Sequence, residues 1–154
     1  MELTRLLGYC GGSLGIGFVS GLLPAVNTEA YLLTLAALAP SPTLAPAVLC
    51  VTAGHMLAKA LLYLAGSGAL ECRFLAKPEG RLADVRRRLG SLQGGASAVV
   101  FSSALTGVPP FYVVSVAASS LRLSLARFLL VGSSGRLLRF AAIVALPGLL
   151  GASR

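Results

Sequence analysis

Ser20-Gly-Leu-Leu-Pro24-Ala-Val-Asn27-Thr28-Glu29 interrupts an otherwise apolar stretch with a proline, two polar residues and an acid. Ser103-Ala-Leu-Thr-Gly107-Val-Pro109-Pro110 interrupts a second one, which begins at Ala96. A helix cannot be broken comfortably against lipid, because the freed backbone groups must find protein or water in a cavity. The economical solution is a re-entrant helical hairpin at each break. Pro110 suits the opening of a half-helix that runs to Leu121, and Asn27 or Thr28 suits the cap of another that runs toward Leu38.

A membrane setting follows from the surroundings of these breaks. Uncharged runs extend from Leu6 to Thr28, Ala30 to Ala58 and Leu89 to Leu121, and about 20 residues span a hydrocarbon core. Of the 154 residues, 56% are hydrophobic and 12% charged, against about 25% charged in a soluble domain. The mean hydropathy is +0.84. The composition predicts an all-α integral membrane protein, and no convincing cleavable signal peptide opens it.

Each break is followed, after further apolar sequence, by a basic residue four positions before an aromatic: Lys59 before Tyr63, and Arg136 before Phe140. The chain therefore reads as one membrane domain over 1–154, with a first half at about 6–70, a basic loop at 71–93 and a second half at about 94–150. A hairpin plus one crossing helix per half leaves the halves inverted relative to each other. Proline-interrupted segments at corresponding positions of two halves point to a binding site at the repeat interface of a transporter.

The charges bear on what is bound. Glu29, Lys59, Arg136 and Arg139 lie in or beside apolar stretches, where lipid exposure of all four would cost on the order of 10 kcal/mol. They are expected to face inward. Arg136 and Arg139 share a helical face, Lys59 is expected to add a third positive charge, and two half-helix N-termini favour an anion. The planar guanidinium fork suits a phosphate. Glu29 is expected to pair with one of the cations, Lys59 or Arg136 when the pair is structural, and to take a proton when the anion arrives. A polar stripe of His55, Lys59 and Tyr63 at i, i+4 and i+8 is expected to line a cavity, His55 itself serving as a packing residue. Ser115 and Ser119 suit helix contact.

Thirteen Lys and Arg against five Asp and Glu give a net charge of +8. The excess is concentrated in Arg73, Lys77, Arg81, Arg86, Arg87 and Arg88, which places that loop in the cytoplasm and suits anionic lipid rather than nucleic acid. Cys10, Cys50 and Cys72 form no CxxC pair, so neither metal nor disulfide is expected. No cofactor is implied, and no Ser/His/Asp, Cys/His or paired-carboxylate constellation suggests an enzyme.

Leu22-Leu-Pro24-x-x-Asn27-Thr28-Glu29, the Gly107-Val-Pro109-Pro110 break and the closing Gly135-Arg136-Leu-Leu-Arg139-Phe140 resemble the DedA or VTT-domain membrane protein family, in particular its small YqaA-type branch. The resemblance runs from about Leu14 to Ala145. It implies facing re-entrant hairpins in an inverted repeat, a multi-pass protein of the bacterial inner membrane, and lipid translocation. The lipid implied is undecaprenyl phosphate or a related phospholipid, with coupling to protons. On this basis Glu29, Lys59, Arg136, Arg139, Asn27, Thr28, Pro24, Gly107, Pro109 and Pro110 form the expected substrate site. Ser102 to Pro110 lacks the arginines that larger members carry there. A non-selective scramblase and a non-transporting scaffold or assembly protein are the alternatives, and self-association is left open.

Overall fold

The computed structural model describes residues 2–67, 95–120 and 123–149. Every regular element among them is an α-helix: α1 (Glu2–Leu22), α2 (Thr28–Leu38), α3 (Ser41–Gly66), α4 (Ala96–Thr106), α5 (Phe111–Ser120) and α6 (Leu125–Leu149). Two of these, α3 and α6, are long and apolar enough to cross a membrane, whereas α2 and α4 are shorter apolar helices. The basic loop at 71–93, with its anionic-lipid contact, lies outside the described residues.

The helix boundaries follow local chemistry. Asn27 caps α2, its side-chain oxygen accepting from the Glu29 N–H at 3.0 Å and the Ala30 N–H at 3.2 Å. Ala39 ends α2 in extended conformation, immediately before Pro40. Gly107 ends α4 at φ 83°, a left-handed conformation that glycine adopts without steric cost. Pro110 opens α5, its carbonyl accepting from the Val113 N–H at 3.0 Å. Helices α2 and α5 thus begin where the Asn27 cap and Pro110 predict.

The chain packs as two compact units, Met1–Leu57 with Arg136–Arg154, and Ala58–Gly135. Each therefore holds one hairpin, the start of the long helix that follows it, and the end of the other long helix.

In the first unit α1 crosses α3 at close range. A Cβ built on Gly17 would run into the Val51 carbonyl, and one on Gly54 into the Leu14 carbonyl. Only glycine admits such an approach of two backbones. Leu32, Val48, Val51 and Phe140 form one apolar cluster here, and Leu35, Ala39 and Ala47 a second.

In the second unit α4 packs on α5 across the Gly107–Pro110 turn. The Ser103 hydroxyl donates to the Pro109 carbonyl at 2.5 Å, and the Val108 N–H donates to the Thr106 hydroxyl at 3.2 Å, so side chains close the turn. The ring of Phe128 stacks on Tyr63 at 5.3 Å and on Phe111 at 6.0 Å. Tyr63 donates its hydroxyl to the Leu123 carbonyl. Gly66 meets Val116 and Ser119 of α5, so Ser119 sits at a helix contact as its spacing suggests.

The α1–α3 crossing generates a prediction. Gly54→Ala places a methyl group against the Leu14 backbone and should destabilise the protein by about 1–3 kcal/mol, the range for overpacking. Gly12→Ala, whose added Cβ would meet nothing within 4 Å, should leave stability unchanged or raise it. Thermal unfolding of the detergent-purified variants checks both; a Gly54→Ala protein as stable as Gly12→Ala contradicts the close crossing.

Candidate functional site

The break between α1 and α2 opens a cavity of about 330 Å³ in the first unit. Leu23–Val26 turns on a backbone bond from the Val26 N–H to the Leu23 carbonyl at 3.1 Å, which sets Pro24 and Asn27 along one wall. The first turn of α2 supplies Thr28 and Glu29. His55 of α3 and Arg136 and Phe140 of α6 complete the lining.

Glu29 is engaged by Arg139. The guanidinium donates from Nε at 2.8 Å and from Nη2 at 2.5 Å, both onto Oε1. An ion pair 110 residues apart in sequence thus ties the first turn of α2 to α6. The negative charge also stands at the helix N-terminus, where the macrodipole favours it. The side chains of Arg139 and Glu29 retain 23% and 40% of their exposure, so the pair is worth closer to the ~1 kcal/mol of a wetted pair than to the several kcal/mol of a buried one.

Arg136, one turn before Arg139, is buried with only 9% of its surface exposed and is the guanidinium among the cavity-lining residues. Its guanidinium carbon lies 5.8 Å from the centroid of Phe140, in cation–π range. His55 meets the same ring edge-on, 5.9 Å away at 83°. Its Nδ1 lies 3.3 Å from the Ser20 hydroxyl, which donates to the Gly17 carbonyl at 2.9 Å and accepts from the Thr28 hydroxyl at 2.5 Å.

Of the residues expected in the site, Pro24, Asn27, Thr28, Glu29 and Arg136 line this cavity, and Arg139 holds Glu29. Lys59, Gly107, Pro109 and Pro110 belong to the second unit. There Lys59 is buried with its ammonium 5.9 Å from the Phe111 ring centroid. Two expectations need correction. The ion pair of Glu29 is with Arg139, not with Lys59 or Arg136: spacing puts both arginines on one face of α6 but cannot say which reaches α2. The α2 N-terminus does not aim bare N–H groups into the cavity, because Asn27 takes those of Glu29 and Ala30.

Ser20 is a lining residue that the sequence alone does not single out, whereas His55 lines the cavity as the polar stripe of α3 predicts, hydrogen-bonded to Ser20 and packed on Phe140. The available signal is that Ser20 and Thr28 stand four residues either side of Pro24, while Gly54 marks the close approach that delivers its neighbour His55 to α1. No protein-family model matches the chain, and neither a curated protein nor a solved structure is significantly similar to it.

A double-mutant cycle tests the ion pair. Glu29→Gln and Arg139→Gln should each lower stability by about 1 kcal/mol, with the double variant no worse than the poorer single one. Strictly additive losses in thermal unfolding contradict the pairing.

Proposed function

We propose that the chain is a multi-pass protein of the bacterial inner membrane, of the DedA or VTT kind, that translocates a lipid through a phosphate headgroup, with a polyprenyl phosphate such as undecaprenyl phosphate as the substrate. Three observations support this reading. The first concerns solvent: the apolar window of Leu125–Gly148 is only 17% buried, and α6 exposes Leu130, Leu138 and Leu146. Exposed leucines of this kind suit lipid tails rather than water. The second concerns architecture, since each unit combines a hairpin, the start of its own long helix and the end of the other, the pattern that two inverted halves generate.

The third observation carries the proposal. A cavity opens at a helix break, and its wall bears a buried arginine on an aromatic ring beside the N-terminal end of α2. Arg136 would take the phosphate through its planar fork. Glu29, held by Arg139, would fix the first turn of α2 against α6 while the headgroup enters.

The Glu29–Arg139 pair also favours a second reading, a non-transporting scaffold in which the charges only hold helices together. Reconstituted liposomes separate the two. The wild type should move a polyprenyl phosphate in preference to phosphatidylcholine, with a rate that responds to a proton gradient. Arg136→Gln, which leaves the Glu29–Arg139 pair in place, should lose at least tenfold in rate while unfolding at a similar temperature. Equal movement of all lipids identifies a scramblase. No movement of any lipid by folded protein identifies the scaffold.

A further inference from the structure

Among the titratable groups that line the cavity, His55 is the one that phosphate binding through Arg136 leaves unused. It is 5% exposed and is oriented by Ser20, which Thr28 ties to the first turn of α2. Glu29, the acid beside it, already holds Arg139, whose Nε and Nη2 both donate to Oε1. Imidazole is the side chain that ordinarily exchanges a proton between pH 5 and 8.

We propose that His55 is the proton-linked member of the anion site, so that binding of a phosphate group in this cavity is accompanied by uptake of a proton on the imidazole. The inference rests on the phosphate-site reading above and adds to it which residue carries the proton. Uptake of the proton turns the ring, whose Nδ1 lies beside the Ser20 hydroxyl, into an imidazolium with both nitrogens as donors.

The surrounding charges set the sign. Arg136 of α6 shares Phe140 with His55, so an imidazolium adds a second cation beside the first. An anion lodged in the cavity offsets both. Glu29 of α2 faces the same space but is neutralised by Arg139, and Lys59 follows one turn further along α3. Ser20 of α1 and Thr28 of α2 carry no charge. The anion-bound state therefore holds the proton more tightly than the empty one. By linkage, anion affinity rises as pH falls and is lost as pH rises. In a transporter this makes release on the alkaline side easier, and the proton travels with the phosphate.

The probe must not titrate itself. Dihexanoyl phosphatidylglycerol and its deacylated glycerophosphodiester each carry one fixed negative charge between pH 5.5 and 8. Calorimetry on the full chain in maltoside micelles should find binding about tenfold tighter at pH 5.5 than at pH 7.5. His55→Gln should bind with no such pH dependence. A pH dependence retained in His55→Gln overturns the assignment. Should His55→Gln fail to fold, wild-type titrations in buffers of different ionisation enthalpy count the protons directly. Uptake of up to one proton per anion is expected; none between pH 5.5 and 7.5 overturns the proposal. Binding that needs the acyl chains marks a lipid headgroup as the ligand, and equal binding of the deacylated probe marks free phosphodiesters. Absence of binding by either probe at every pH overturns the phosphate site itself, and this inference with it.

Discussion

The ion pair between Glu29 and Arg139 is the interaction on which the site depends. It joins the first turn of a short helix to the last long one across 110 residues of sequence. Its energy is modest because both side chains keep contact with solvent space. Its geometric effect is larger. With Oε1 of Glu29 held by two donors, α2 starts at a fixed place against α6, and Arg136, one turn away, comes to line the cavity.

A second constraint works between α1 and α3. Helical glycine costs about 1 kcal/mol relative to alanine, yet Gly17 and Gly54 stand where two backbones meet. That approach brings His55 within reach of Ser20, and Thr28 joins them, so three helices share one short hydrogen-bonded chain. The second unit relies on aromatic packing instead, with Phe111, Phe128 and Tyr63 stacked beside Lys59 at the start of α5. In both units a short helix begins just after a proline-bearing break, close to a buried basic residue.

Much of this was legible in the residues. Prolines, the Asn27 cap and Gly107 act locally, within a few residues of where they stand, and so α2 and α5 begin where those signals lie. Partner choice is not local. Arg136 and Arg139 are equivalent by helical spacing, and only the packing of α6 against α2 decides that Arg139 takes Glu29 while Arg136 lies on Phe140. For the same reason the polar stripe of His55, Lys59 and Tyr63 divides: His55 serves the first unit, whereas Lys59 and Tyr63 serve the second. Periodicity reports a shared face of α3 but not which hairpin each part of it meets.

Whether the cavity at the start of α2 holds a phosphate through Arg136 is open to a direct test. Native mass spectrometry of the purified protein, mixed with equal amounts of a phosphatidic acid and of the diacylglycerol with the same chains, isolates the contribution of the phosphate. Wild-type protein should retain the phosphatidic acid and discriminate against the diacylglycerol, and Arg136→Gln should lose this preference. Equal retention of the two lipids by the wild type, or an undiminished preference in Arg136→Gln, would contradict the phosphate site.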